Sequence, residues 1–517
     1  MAPQLPLSPP LAKTSTKKPW VFLVVLALLL VAIIDIGAFL EEPPKTRIYE
    51  ANLCVAYYRQ HDQSAIGADG SVPERLCKTD AVQQKLAMVF GWQDTFDALP
   101  GILLAIPFGT LADRVGRKWI FAASLLGCQL SSAWVLLICY FKTLPLQLTW
   151  LSSAFLLIGG GPIVAVAIAM TMISDVVPPE KRTTVFLCLT ASVLVAEMIA
   201  PAMAAKLMEK GDWLPLLLAL AIQGVGMCIA IVFPETLHLR HLPESIDQDM
   251  DQSIELQPRR GHFTLTAQLK NFHTAYTFIR SDVQLALVVF GFMANRLGRS
   301  AMSLLIRYAS KSYEWDIKDA AYLLSFRAAT NLVAVTVCLP AINWALLKRL
   351  RLPSHWADLW LARGSVILQA TSFVVMGIAG YPALLILALL VYNMGTGYSA
   401  ALRSVAIHVV GGQASPDVGK LMSTIAISEA IGAMFAGPML SQFFQWGMEL
   451  GSSWLGLPFL ACVPAFVVMT VVTFVISVKD RDVGYVEVLS DDEEDAGSEP
   501  GSRTSALDDD PSLRYVP

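Results

Sequence analysis

Nine ionisable side chains stand inside long apolar stretches of this 517-residue chain: Asp35, Asp94, Asp97, Glu197, Arg296, Arg299, Arg327, Arg403 and Glu429. At the centre of a membrane-spanning helix each would cost roughly 2.5–3.5 kcal/mol, so each must meet a partner or a wet cavity. A carboxylate beside an arginine, in a cavity that alternately meets two pH values, can bind and release a proton as its partner changes. Asp35, Glu197 and Arg327 suit that task. Arginines in the same place can instead hold an organic anion: Asn295 adjoins Arg296, and Asn331 lies one turn from Arg327. Tyr392 and Asn393 offer further donors. The competing reading is structural, with the charges neutralising one another, and it applies best to Asp94, Asp97 and Arg299.

The elements that must position these groups are apolar helices. Hydrophobic residues make up 55% of the chain and charged residues 15%, against about 25% charged in soluble domains. Runs of about 20 apolar residues at 20–40, 86–108, 119–140, 148–172, 183–207, 214–233, 283–305, 320–342, 360–377, 382–410, 421–444 and 454–478 predict twelve spans. The first is too long for a cleaved signal peptide and is followed by Glu41-Glu42-Pro43-Pro44, so it is expected to stay. The buried charges occupy runs one, two, five, seven, eight, ten and eleven, and the interiors of three, six, nine and twelve have none. A rise of about 1.5 Å per residue places Asp35, Asp94, Glu197, Arg296 and Arg327 about 10 Å from the outer surface. Arg403 and Glu429 fall about 10 Å from the cytoplasmic surface by the same rise. Two charge layers, each able to gate a central cavity, are predicted.

Orientation follows from the basic residues. With the N-terminus inside, cytoplasmic segments carry 21 Lys and Arg and outer segments 12, which predicts both termini on the cytoplasmic side. The expected organisation is a tail over 1–19, a six-helix half over 20–234 with an outer loop at 41–85, a linker over 235–281, a second half over 282–478, and an acidic tail over 479–517. Leu265, Leu269, Phe272, Tyr276 and Ile279 mark an amphipathic helix in the linker. The halves look duplicated: Ala200-Pro201 in run five matches Gly437-Pro438 in run eleven, and runs four and ten share clustered glycines, Gly159-Gly160-Gly161 and Gly395-Thr396-Gly397. Parallel repeats of this kind serve alternating access. Cys54 and Cys77 share the outer loop and are expected to form a disulfide, with two free thiols as the alternative. The other six cysteines lie in the runs as small packing residues.

Between runs two and three lies Gly109-Thr110-Leu111-Ala112-Asp113-Arg114-Val115-Gly116-Arg117-Lys118, the composition of a tight basic turn between two membrane helices. It resembles the loop signature of the major facilitator superfamily. The resemblance implies an all-α fold of two pseudo-symmetric six-helix halves, with every third helix peripheral. It also implies that Gly109, Asp113, Arg114, Gly116, Arg117 and Lys118 steer conformational change. Ala200-Pro201-Ala202-Met203-Ala204-Ala205 is similar to the Gly-Pro-x-x-Gly-Gly element of proton antiporters, with alanine for glycine. The helix-four arginine of those antiporters is missing from Phe155-Leu156-Leu157-Ile158-Gly159, so Asp35 or Glu197 would have to couple protons. Phe233-Pro234-Glu235-Thr236-Leu237 resembles the Pro-Glu-Thr end found in many facilitators. Arg47-Ile48-Tyr49-Glu50, Cys77-Lys78 and Gln83-Gln84-Lys85-Leu86-Ala87 resemble a fungal branch distantly similar to proton-coupled folate-type solute carriers, several of whose members accompany secondary-metabolite pathways as exporters.

The function expected is therefore secondary active transport of a small organic molecule by alternating access, directed to efflux. Uptake of an organic anion or nutrient is the alternative, and a nutrient sensor signalling through the acidic tail is an alternative of another class. The protein is expected to act as a monomer in the lipid bilayer of the plasma membrane, with the vacuolar membrane as second choice. No catalytic constellation, metal-ligand spacing or phosphate-binding loop is present, so no cofactor is expected and an enzyme or ATP-driven pump is not. A net charge of −4 gives no support for nucleic-acid binding.

Overall fold

A computed structural model describes residues 19–237 apart from Asp69, Thr143 and Pro178, then 283–410 and 418–475. The linker helix expected at 265–279 and both tails lie outside the described residues. Within them the chain is helical, and each of the twelve expected spans falls on a helical element. The first half contains α1 (Pro19–His61), α2 (Asp80–Val115), α3 (Arg117–Tyr140), α4 (Gly161–Val176), α5 (Pro179–Met208) and α6 (Trp213–Val232). In the second half, α7 (Val283–Met302) is continued by Leu305–Ser312, and α8 starts at Ile317–Val333 and runs on to Arg349 through two π-helical stretches. Then come α9 (Ser354–Gly377), α10 (Pro382–Met394, resumed at Tyr398–Val409), α11 (Val418–Leu450) and α12 (Leu457–Val475).

Among the described residues, nine helices are long and apolar enough to cross a membrane, and α2 makes a tenth once its two parts, bent by 51° ahead of Pro107, are joined. The bend is where a proline removes a backbone donor and crowds the preceding turn. The two exceptions have local causes. Arg296 and Arg299 lower the apolarity of α7, and α4 is short because its run is broken. Gly159, Gly160 and Gly161 all take positive φ, 85°, 86° and 68°, so the run expected as one span over 148–172 turns left-handed in the middle. A Cβ on Gly159 would lie 2.3 Å from the Ser124 backbone nitrogen of α3. Only glycine permits that conformation and that approach together.

The expected outer loop at 41–85 is corrected more substantially. The first helix does not stop at Leu40 but continues through the buried Pro43 and Pro44 to His61, 43 residues in all and about 65 Å long at the usual rise. Only 62–79 remain as a connection, with short 3₁₀ turns at Gln63–Ala65 and Glu74–Lys78. The polar stretch after Leu40 is covered by protein. Glu41 accepts hydrogen bonds from Ser132 of α3 (3.0 Å) and Gln223 of α6 (3.1 Å), and Thr46, Ile48, Tyr49 and Glu50 are buried.

In the first half α1 packs on α5 and α6, and α3 on α4 and α6; in the second, α7 packs on α11 and α12, and α9 on α10 and α12. The halves meet where α2 packs on α11 and α5 on α8. Each junction pairs the second helix of one half with the fifth of the other, as a duplicated chain folded about a pseudo-twofold axis requires. Small residues allow the first junction: a Cβ on Gly91 would lie 2.4 Å from Ser441 Oγ, and one on Gly437 2.8 Å from the Gly91 carbonyl oxygen.

Candidate functional site

The helices bring the membrane charges together across the halves. Arg327 of α8 is hydrogen-bonded to Glu197 of α5, with the side chains only 22% and 13% exposed. Asn393 of α10 donates to the Arg327 carbonyl oxygen (3.0 Å) and to Thr330, fixing that turn of α8. Glu42 lies within Coulomb range of Arg327, Lys45, Arg307 and Glu197, and Arg307 within range of Asp94 and Glu42. The guanidinium of Arg307 rests 4.4 Å over the Phe90 ring. Carboxylates and cations thus alternate from α5 through α8, α1 and the continuation of α7 to Asp94 of α2. Such a chain can trade partners as the halves rotate.

Asp35 stands apart from this chain. It lines a cavity of about 300 Å³ with Val31, Ile34, Ala165, Ala169 and Val193, and its Oδ2 is buried without a hydrogen-bond partner. An unpaired carboxyl in an apolar pocket is costly when ionised. It is therefore suited to holding a proton or meeting a donor on a ligand. Asp97 is tied within its own half, accepting from Ser153 and from Gln93 (3.2 Å).

The two-layer arrangement of charges is not what the structure contains. Glu429 of α11 pairs with Arg299 of α7 at 3.0 Å, while Arg403 is exposed and sits 5.7 Å from the Phe292 ring centroid. Depth from one end of a helix ignores the reach of two long side chains between tilted helices. Asn295 and Tyr392 are buried, the latter edge-on to Phe373 at 5.6 Å, so Tyr392 packs in the second half. Arg296 Nε and Asn331 Oδ1 are buried without partners. Ala200 is fully buried with Leu40, Ala204 and Ala219 and joins α5 to α1 and α6, beside the buried Pro201. Gly437 and the half-buried Pro438 lie instead on the junction between halves. The matching motifs pack different partners.

At the opposite end of α2, the 109–118 turn is built around Arg117. Its guanidinium, 6% exposed, pairs with Asp113 (3.1 Å) and with Asp175 of α4 (2.6 Å). Glu235, just past α6, accepts the backbone N–H groups of Arg117 (3.0 Å), Lys118 (3.2 Å), Thr236 (3.0 Å) and Leu237 (3.1 Å). Partial burial pushes this carboxyl up, but the N–H donors outweigh it and hold it below the ordinary 4.5. Gly116 has φ 117°, and a Cβ there would lie 2.5 Å from Glu235 Oε2. Arg114 is exposed, and Lys118 lies 5.1 Å from the Trp119 ring. A Cβ on Gly109 would meet nothing within 4 Å, so no neighbouring helix packs closely on it. The junction of α2 with α11 is at the other end, around Gly91 and Thr95, whose hydroxyl donates to the Met434 carbonyl oxygen at 3.1 Å. The molecule is closed at the end bearing Cys54 and Cys77, which are joined by a disulfide.

Sequence reasoning missed Glu42, Lys45 and Arg307 because hydropathy assigned them to loops. It also missed Asp175, the partner of Arg117, by ending the fourth span at 172. The Glu-Glu-Pro-Pro sequence directly after an apolar run was the available signal for the first of these.

A family model for the Major Facilitator Superfamily matches residues 82–437. The MFS efflux pump atnC of Emericella nidulans is 35% identical over 82% of this chain and 82% of its own, and the efflux pump ustT of Aspergillus flavus is 29% identical over 83% of each. The crystal structure of the nucleoside transporter NupG superposes with a TM-score of 0.58 over 88% of this chain and 100% of that one, at 11% identity, a likeness of fold alone. Similarity to folate carriers does not emerge from these matches. Among the described residues, twelve helical elements in two halves, a membrane charge chain crossing between them and the motif turn opposite it agree with the family match: the chain is a membrane transporter and belongs to the major facilitator superfamily.

Proposed function

We propose that this transporter exports a small organic molecule, with Asp35 and the Glu197–Arg327 pair coupling transport to protons. The observation that carries this reading is the geometry at the centre: the Glu197–Arg327 ion pair spans the two halves, and an unpartnered carboxyl sits in an apolar cavity within the first half. Protonation of Glu197 would release Arg327 and weaken the junction of α5 with α8, which links proton binding to rearrangement. The names of the similar efflux pumps support outward direction. In this reading the 109–118 turn and both termini face the cytoplasm, the disulfide faces an oxidising exterior, the protein works as a monomer, and the plasma membrane is its place. The unpaired Arg296 Nε favours uptake of an organic anion as the second reading.

The test is untargeted metabolite profiling of cells and medium with and without the protein, repeated with the proton gradient collapsed. Export predicts a compound that is depleted in cells and enriched in medium only while the gradient stands. Asp35→Asn is expected to abolish the gradient dependence with surface expression retained. Gradient-dependent export persisting in that variant would remove Asp35 from the mechanism.

A further inference from the structure

The 3₁₀ turn Glu74–Lys78 packs on α1 and α2 of the first half and from there reaches across to the second. Lys78, 7% exposed, uses all three of its N–H groups: on Glu50 (2.8 Å), on Glu74 (3.0 Å) and on Ser310, which lies in the continuation of α7 (2.6 Å). Ser310 in turn donates to the Trp315 carbonyl oxygen at 2.8 Å, leaving its own oxygen to accept from Lys78. Lys311 returns the contact, donating to the Lys78 carbonyl oxygen (2.5 Å) and pairing with Asp80 (2.7 Å). Glu74 accepts the backbone N–H of Ile317 at 2.7 Å, so a side chain of the first half caps the first turn of α8 in the second. Arg47 holds Glu74 (3.1 Å) and Glu50 (3.2 Å) from α1. The turn therefore grips the helix that carries Arg327. Its own position is fixed from behind, because Cys77 is bonded to Cys54 of α1 and its carbonyl oxygen accepts from Gln83 of α2 at 3.0 Å.

We propose that Lys78 is the gating residue of this face of the transporter, and that the Cys54–Cys77 disulfide acts as its positioning element by seating the Glu74–Lys78 turn against α8 and the continuation of α7. Opening the face requires Lys78 to leave Ser310 and Glu74 to leave the start of α8. A turn anchored on α1 and α2 rides with the first half as they part. A fully hydrogen-bonded buried ammonium is a two-state contact: its N–H groups are satisfied when closed and hydrated when open, and intermediate positions leave them unmet. Reduction of the disulfide unseats the turn and weakens the closed state without touching any residue of the central charge chain. The inference rests on the transporter fold and holds for export or uptake.

The test measures conformation and needs no substrate. The full chain, its six unbonded cysteines replaced and Cys54–Cys77 kept, is spin-labelled at Lys210→Cys and Glu449→Cys on the closed face, or at Val115→Cys and Leu350→Cys on the opposite face, and reconstituted in nanodiscs. Lys78→Ala is expected to lengthen the first distance and shorten the second, raising the ratio of the state open on the disulfide face on the order of tenfold. Lys78→Arg is expected to restore part of the closed population. Cys54→Ser/Cys77→Ser is expected to shift both distances in the same sense as Lys78→Ala, and the combined variant to shift them no further than Lys78→Ala. A merely structural role broadens both distributions without reciprocal movement. That result, or unchanged distances in Lys78→Ala and in the cysteine variant, overturns the proposal.

Discussion

Two side chains and one glycine decide most of what happens at the residue scale. Glu197 and Arg327 stand 130 positions apart in sequence and hold α5 to α8. Loss of one partner leaves the other unpaired in a poorly solvated place, at a cost between the about 1 kcal/mol of an exposed pair and the about 3–5 kcal/mol of a buried one. Glu197→Ala is therefore expected to lower the melting temperature in detergent, and Glu197→Ala/Arg327→Met to recover part of the loss. Equal melting of the single and double variants would show that the pair carries no coupling. At Gly116 the φ of 117° and the 2.5 Å approach of Glu235 act together. Gly116→Ala is expected to cost about 1–3 kcal/mol through backbone strain alone, and to slow transport by unseating Arg117. A variant as stable and as active as the parent would refute this.

At the scale of elements, the α2–α11 junction depends on Gly91, Gly437 and Ser441 having almost no side chain between the helix backbones. Gly91→Val puts methyl groups where Ser441 already sits. The expected outcome is a shift toward the state open on the disulfide face, read as increased labelling of Ser441→Cys by a membrane-impermeant maleimide applied to that face; unchanged labelling would mean that the junction yields elsewhere. The repeat motifs were legible in sequence as duplicated small-residue and proline pairs, yet their roles diverge. Ala200 packs inside its own half, whereas Gly437 meets the other half. A repeated sequence gives repeated helices, but which face of each helix finds the opposite half depends on the pseudo-twofold arrangement.

At the scale of the whole molecule, the halves are held together at the disulfide face by α2 on α11 and by Lys78 on Ser310, while the motif turn at the other end of α2 is tied within the first half to Asp175 and Glu235. The pH response of the motif end follows from Glu235. A carboxyl held below its ordinary value stabilises the folded arrangement while ionised. Its contribution is complete above the ordinary 4.5 and is lost as pH falls through the lower folded value. Amide exchange at Arg117 and Lys118, corrected for intrinsic rates, is expected to stay slow from neutral pH down to 4.5 and to quicken only below it, while Glu235→Gln quickens it at neutral pH. A transition near neutrality in the parent protein would assign the loop to another group. Removing residues 479–517 is expected to leave flux intact, as a carrier requires, whereas a sensor acting through the acidic tail would lose its signalling; loss of flux would show that the tail is needed for transport.

The sequence by itself determined the helical membrane architecture, because transfer of about 20 apolar residues into lipid is a local property that any window of the chain reports. It likewise exposed the 109–118 turn and the charges within the apolar runs. Only the tertiary structure decided which charges meet, that α1 runs on through Glu41 and Glu42, that Arg307 joins the central chain, and that Lys78 crosses to the other half. Hydropathy scores each residue against lipid or water, while these side chains are solvated by neither. They are solvated by partners from distant parts of the chain, and that pairing exists only once the two halves are packed together.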